Sequence, residues 1–267
     1  MVRAIDHVII AVRDLSAAME SYRQAGFTVT PGGEHADGAT HNALVTFGDG
    51  AYFELIAFRE PDRKQDHKWW GKLATGEGTV DYALLADDLD AEADRLRQAE
   101  VIVDGPRQGG RNRPDGQAIA WKTISLEAED VPLPFVLEDV TDHDLRVPPG
   151  EAARHALNVQ ALAGLTILVP DLDRATPVYE ALLGASGAAT SPNIEGVHSG
   201  CRFPLGTQWI ELAEPDAAAE DMQCHIRDRG AAPYEIVLVA TAPGMAPLPP
   251  ELTHAARIRF EPLPAAT

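Results

Sequence analysis

The stretch His7-Val-Ile-Ile-Ala-Val-Arg-Asp-Leu15 returns as Gly164-Leu-Thr-Ile-Leu-Val-Pro-Asp-Leu172, at an offset of 157. Both are apolar, β-branched runs of the kind that suit a pleated strand, and both stop at Asp-Leu. At the same offset Ala18 meets Ala175, Tyr22 meets Tyr179, His41 meets His198 and Glu54 meets Glu211. Tyr52-Phe-Glu-Leu55 and Trp209-Ile-Glu-Leu212 close the two copies alike. A third copy starts at Tyr82-Ala-Leu-Leu-Ala-Asp-Asp-Leu89, 74 residues after the first, and a helical pattern follows over residues 90–99. It ends at Pro134-Phe-Val-Leu-Glu138, ten residues later than that offset predicts. The excess reads as a loop insertion around residues 109–116. Residues 235–240 and 256–260 read as strands of a fourth, shrunken copy, whose Pro/Gly-rich middle lacks a helical pattern.

Within one copy the order is strand, helix, then three strands. Asp14 or Ser16 can cap a helix that carries Leu15, Met19 and Tyr22 on one face, and Gly26 ends it. Gly48-Asp-Gly50 is a hairpin signal. The fold class is therefore α+β: tandem βαβββ units whose mixed sheets curl into cups. Residues 1–146 form one domain of two paired units, 147–159 a linker with prolines, and 160–267 a second, degenerate domain.

Bulk properties narrow the function. The chain has 267 residues, 45% apolar and 24% charged, enough for a sizeable core. A net charge of -19 argues against nucleic acid, whose phosphates attract basic surfaces. No apolar run approaches a membrane span and the start shows no secretory pattern, so neither membrane nor export is expected. Cys201 and Cys224 have no metal or redox spacing, and a cytoplasmic protein with free thiols is the plain expectation.

Strand side chains alternate between faces. His7, Ile9 and Ala11 share one face of the first strand, and Tyr52, Glu54 and Ile56 share one face of the closing strand. If the sheet curls, His7 and Glu54 point into one concavity, where imidazole and carboxylate suit a divalent metal. Arg111, Arg113 and Trp121 are candidates for an anionic or planar substrate. Residues 64–72, with Trp69 and Trp70 among cations, are a candidate lid or pocket wall.

These residues carry a resemblance. Ile5-Asp-His-Val-Ile-Ile-Ala-Val-Arg-Asp-Leu15 and Asn42-Ala-Leu-Val-Thr-Phe-Gly-Asp-Gly-Ala-Tyr-Phe-Glu-Leu55 resemble the vicinal oxygen chelate superfamily, as do Arg111-Asn-Arg-Pro-Asp-Gly116, Trp121 and Leu133-Pro-Phe135. The branch is the glyoxalase-like one, in a superfamily that includes extradiol dioxygenases, epimerases and drug-resistance proteins. The likeness is strong over residues 2–145 and weaker over 160–215. It implies a cup with a central divalent metal (Zn, Ni, Mn, Co or Fe) bound by His7 and Glu54 from unit one and Asp81 and Glu138 from unit two. Asp81 departs from the more usual His or Gln. The third unit has Gly164 in place of His7 and is expected to have lost its site.

The reading that follows is a metal-dependent lyase, isomerase or epimerase acting on a small oxygen-rich metabolite. Glu54 or His41 moves a proton, and Trp70 and Tyr52 join the substrate wall. The alternatives are a metal-free small-molecule-binding or drug-resistance protein and, third, an extradiol-type dioxygenase. Monomer and homodimer are both open.

Overall fold

The computed structural model describes residues 1–35, 38–113, 115–242 and 244–263. Pro114, within the 111–116 motif, lies outside the described residues. The chain runs β1 (Val2–Ala11), α1 (Leu15–Gln24), β2 (Thr30–His35), β3 (Thr40–Thr46), β4 (Tyr52–Phe58), α2 (Trp70–Ala74), β5 (Gly78–Ala86), α3 (Leu89–Gln98), β6 (Ile102–Asn112), β7 (Ala118–Glu127), β8 (Phe135–Asp139) and α4 (His143–Arg146). After a 3-10 turn at Gly150–Ala153 come β9 (Val159–Leu168), α5 (Leu172–Leu183), β10 (Ala188–Thr190), β11 (Val197–Leu205), β12 (Gln208–Pro215), α6 (Glu220–Arg229), β13 (Glu235–Ala240), α7 (Pro250–Thr253) and β14 (Ile258–Pro262). The α+β class holds, with two mixed sheets.

The first eight strands close into a barrel, in the order β1-β4-β3-β2-β6-β7-β8-β5. The other six form an open sheet, β10-β11-β12-β9-β13-β14. The Asp-Leu endings have a mechanical role. Asp14, Asp88 and Asp171 are helix N-caps whose carboxylates accept from Ala17, Ala91 and Arg174 N–H groups. Register follows the sequence offset: His7 lies beside Tyr52 in the parallel β1–β4 pair, and Gly164 beside Trp209 in β9–β12. The inserted residues of the second unit lengthen the β6–β7 hairpin, and Gly109 and Gly110 stand inside β6.

Alternation along β1 sorts the core. Val8, Ile10 and Val12 point out of the barrel into one hydrophobic cluster with Tyr22, Phe53 and Tyr82. That cluster runs on through Leu165, Tyr179, Phe203 and Leu238 of the second sheet. The two sheets therefore share a single core. Polar ties cross it: the Tyr82 and Tyr179 hydroxyls meet at 3.1 Å, and Tyr22 donates to the Thr253 carbonyl at 3.0 Å. The segment after α4 is pinned by His155, which accepts from Thr28 N–H at 3.0 Å and lies 2.9 Å from the Thr46 carbonyl.

The C-terminal half differs from the barrel in two ways. Among the described residues, the strands of its last unit are β13 and β14, paired in parallel. The short α7 forms there despite the prolines, because Pro250 sits at the start of the helix, where no N–H is needed. Its inner face is also filled. A Cβ on Gly164 would lie 2.2 Å from the Trp209 ring, so glycine is required for that ring to lie across the strand. Arg202 stacks on Trp209 at 4.0 Å and pairs with Glu211 at 3.1 Å, and Arg259 pairs with Glu235 at 2.6 Å.

Gln208 ties the sheets directly. Its carbonyl accepts from Ile5 N–H at 2.7 Å, and its amide donates to Asp49 at 3.2 Å, where the side chain is buried. Gln208→Ala leaves a buried β1 N–H without its partner. It should lower unfolding free energy by about 1–3 kcal/mol in urea denaturation, with one transition for the whole chain. Loss confined to a separate C-terminal transition would contradict a shared core.

Candidate active site

The barrel interior holds a cavity of about 370 Å³. His7, Tyr52 and Glu54 line it from the central β1–β4 pair, as alternation requires. Tyr52 stacks on His7 with ring centroids 4.6 Å apart. Arg111 and Trp121 line it from the β6–β7 hairpin, Phe135 and Leu137 from β8, and Lys68 and Trp69 from the segment before α2.

A buried ion network sits beneath His7. Arg146, from α4, donates to both Asp6 oxygens at 2.8 and 2.7 Å, to Asp139 at 2.6 Å and to the Tyr52 hydroxyl at 2.9 Å. Burial opposes the Asp6 charge, but Arg146 and His7 more than offset it and hold the carboxyl well below its usual range. An ionised Asp6 only accepts, so the His7 Nδ1 atom 2.5 Å away carries the proton. The His7 Nε2 atom is left facing the cavity, 3.6 Å from Glu54 Oε2.

Glu54 is ionised as well. Burial works against its charge, but hydrogen bonding and charge from His35, the His7 charge and the Asn42 amide bring it down to about 2. Asn42 donates to Glu54 Oε1 at 2.5 Å, and His35 Nε2 lies 3.3 Å from the same oxygen. The other His35 nitrogen meets the Thr40 hydroxyl at 2.7 Å. One carboxylate thus stands between two imidazoles with different surroundings.

The pairing of β1 with β5 shows what the second unit supplies. Ile9 pairs with Asp81 and His7 with Ala83, so a local two-fold exchanges His7 with Asp81 and Ile9 with Ala83. Glu54 pairs with Ile9, and Phe135 with Ala83. Phe135 therefore holds the place related to Glu54. Glu138 lies three residues on, with its carboxylate outside the barrel, accepting from Leu89 N–H at 2.7 Å. Glu214 does the same for Leu172 N–H at 2.8 Å. Assigning Glu138 to the metal is corrected on this ground: its β8 parity is that of Val136, which faces the core, and it caps a helix.

The implied divalent metal can be tested against these donors. His7 and His35 offer a nitrogen on either side of the Glu54 carboxylate, 3.6 and 3.3 Å from its oxygens, but the three do not bring one ligand atom each within 4.8 Å of the others. Asp81 is already held by Lys68 at 2.8 Å, the Trp69 indole N–H at 3.0 Å and its neighbour's N–H at 3.0 Å. The fourth place is a phenyl ring. Among the described residues, the group of three ligating side chains within 4.8 Å is Asp6, Asp139 and His143, and Arg146 bonds to both of its carboxylates. The donor set does not close a metal site.

Of the other sequence candidates, Tyr52, Arg111 and Trp121 reach the cavity. Arg111 is buried and donates to the Gly32 carbonyl and, at 3.0 Å, to that of Arg146. Three candidates are corrected. His41 faces away from the cavity, since its neighbours Thr40 and Asn42 are the ones that line it. Arg113 bonds the Leu145 carbonyl at 2.8 Å and Asp115 at 3.1 Å, at the end of the hairpin. Trp70 packs edge-on against Phe58 at 4.8 Å, and Trp69 takes the cavity position instead.

The sequence reading missed Asp6, His35, Asn42 and Arg146, and reached Lys68 only as part of the 64–72 pocket-wall segment. Asp6 precedes His7, and strict alternation would send it to the other face. A register shift between Ile5 and His7 interrupts that alternation. The available signal was the Asp-His pair itself.

Comparisons with known proteins agree with this architecture. A hypothetical protein from Staphylococcus aureus superposes with a TM-score of 0.69 at 14% identity, covering 97% of this chain and 99% of that one. A 4-hydroxymandelate synthase variant from Streptomyces coelicolor gives 0.59 at 12% identity, covering 90% and 72%. Both show likeness of fold alone. A Streptomyces coelicolor methylmalonyl-CoA epimerase is 27% identical over 53% of this chain and 97% of its own, with a TM-score of 0.41. No curated protein matches the sequence. The glyoxalase-like domain profile matches residues 5–183, two thirds of the chain, and the chain belongs to that family, within the vicinal oxygen chelate superfamily.

Proposed function

We propose that the barrel is the active site of an enzyme that moves a proton next to a carbonyl of a small, oxygen-rich substrate, without a metal. The reaction class is isomerase, epimerase or lyase. The observation that carries this reading is the buried Asp6–His7 pair. Ionised Asp6 fixes a proton on Nδ1, which leaves Nε2 facing the cavity in the role of base. Asp6 also stabilises the imidazolium that forms once His7 takes a substrate proton. Glu54, 3.6 Å from Nε2, favours the same charged state. His35 and Asn42 hold Glu54 in place, and Trp121, Phe135 and Tyr52 give the substrate apolar walls. His7, His35 and Glu54 line the same cavity, but among the described residues their ligand atoms do not gather within 4.8 Å of one another, which weighs against the metal-dependent reading and against a dioxygenase.

His7→Gln should lower catalysed hydrogen–deuterium exchange at acidic C–H positions by about 10²–10⁴-fold, across a panel of small oxo acids and ketones followed by NMR in D₂O. Tag-free protein should carry well under one equivalent of any transition metal by plasma mass spectrometry. Stoichiometric metal that disappears in His7→Ala would sink the metal-free reading.

Glu54 also predicts an acid dependence. Its folded value of about 2 lies below the ordinary glutamate value of 4.5, so the stability it contributes is complete above about pH 4.5. That stability fades as pH falls towards 2, when the folded state must also take up the proton. In melting temperature against pH, Glu54→Gln should flatten the slope between these limits. An unchanged slope would show that Glu54 is not held ionised by its neighbours.

A further inference from the structure

The second unit's half of the cavity has an arrangement that the Asp6–His7 chemistry does not use. Where the first unit presents His7 and Glu54, the second presents Asp81 and Phe135. Lys68 lies across both. Its ammonium is 2.8 Å from Asp81 Oδ2, 4.2 Å from the Phe135 ring centroid and 4.8 Å from that of Trp69. Phe135 lies in turn 5.6 Å from His7, so the ammonium and the base occupy neighbouring parts of one cavity.

The surroundings of Lys68 prepare it to bind something more. An ammonium has three donors, and Asp81 is the hydrogen-bond partner of Lys68 among the described residues. The two rings hold the cation by their faces without taking its donors. Asp81 is itself fixed by the Trp69 indole and the Tyr82 backbone N–H. The Lys68 side chain is 49% exposed, and it lines the cavity. Of the other cations of the cavity wall, Arg146 is engaged by Asp6, Asp139 and Tyr52, and Arg111 has two donors committed to backbone carbonyls. Among the described residues Lys68 thus combines uncommitted donors with an accessible side chain, whereas Arg111 is buried.

We infer that Lys68 is the substrate's oxyanion-binding residue, and that the substrate is an anionic 2-oxo or enolisable carboxylate whose oxygens meet its ammonium while its carbon faces His7. This rests on the proton-transfer reading of the same cavity. When the C–H proton passes to His7 Nε2, the C–H bonding pair becomes the C=C bond of the enolate, the C=O π pair moves onto the oxygen, and Lys68 meets the charge that develops there. Return of the proton completes an isomerisation, with no oxidant or reductant consumed. A cationic ligand is disfavoured, because Lys68 already occupies the aromatic faces that would receive it.

Oxalate, a planar dianion that resembles the enolate of a 2-oxo acid, is the probe. Calorimetry in EDTA-treated, low-salt buffer should show saturable binding to the full chain. Lys68→Met should weaken it by about tenfold or more, and Lys68→Arg should keep it within about threefold. On the unaltered protein, oxalate should slow acylation of the Lys68 amine, read by peptide mass, which keeps the test independent of how any variant folds. Failure of oxalate to bind, binding that EDTA abolishes, binding unchanged in Lys68→Met, or no protection of the amine would each overturn the assignment. His7→Gln separates the two ideas: it should retain oxalate while losing deuterium exchange. Retained exchange in that variant with Lys68-dependent oxalate binding would overturn the base and leave the anion site standing.

Discussion

The interaction on which the rest depends is the buried pair between Asp6 and Arg146. It joins two elements 140 residues apart, the central barrel strand and the short helix that follows the last barrel strand. A lone buried charge of either sign would be costly, and the pair tolerates burial because the surrounding hydrogen bonds are nearly complete. Arg146 gives two bonds to Asp6, two to Asp139 and one to Tyr52. The same contacts set the chemistry. They keep Asp6 ionised, which fixes the His7 proton, and they position Tyr52, which stacks on His7. His143 joins at the far end, where its hydrogen bond to Asp139 raises it above the ordinary imidazole range although burial opposes this. One cluster of charge thus ties α4 to the barrel and orients His7.

Much of the fold was legible because it rests on local chemistry. The Asp-Leu endings are caps, and caps are readable wherever a short carboxylate precedes an apolar helix face. His7 and Glu54 were legible because alternation with Ile9 and with Tyr52 already sends both side chains into the cavity. Asp6 was not, since a register shift lies beside it. Arg146 was not, since nothing local marks a residue whose partners lie far away in sequence. Glu138 misled because a carboxylate near a strand end has two uses. Deciding between them needs the register of β8 against β5, which an inserted hairpin hides. Trp69 and Trp70 show the same limit in a loop, where neighbouring side chains have no fixed period.

The two halves put the same strand geometry to different ends. At the place of His7 the second sheet has Gly164, and Trp209 lies over it where Tyr52 stacks on His7. Glu211, the counterpart of Glu54, is paired with Arg202 instead of facing an imidazole. Each substitution fills space or cancels charge. Cavity and filled sheet therefore differ by a few side chains on closely similar backbones. A search for function by fold alone would have treated the halves alike.

The continuous core has a thermodynamic consequence. Since barrel and open sheet share their apolar interior, binding energy gained inside the cavity is linked to the folding of residues that never touch the ligand. By mass action, a ligand at a hundred times its dissociation constant adds roughly 2.7 kcal/mol to the folded state. Here that gain is distributed over the whole chain, so amide protection in β12 and β13 becomes a remote gauge of occupancy in the barrel. The filled half serves the working half as a reservoir of cooperativity, and a ligand too small to alter any visible contact can still be read there.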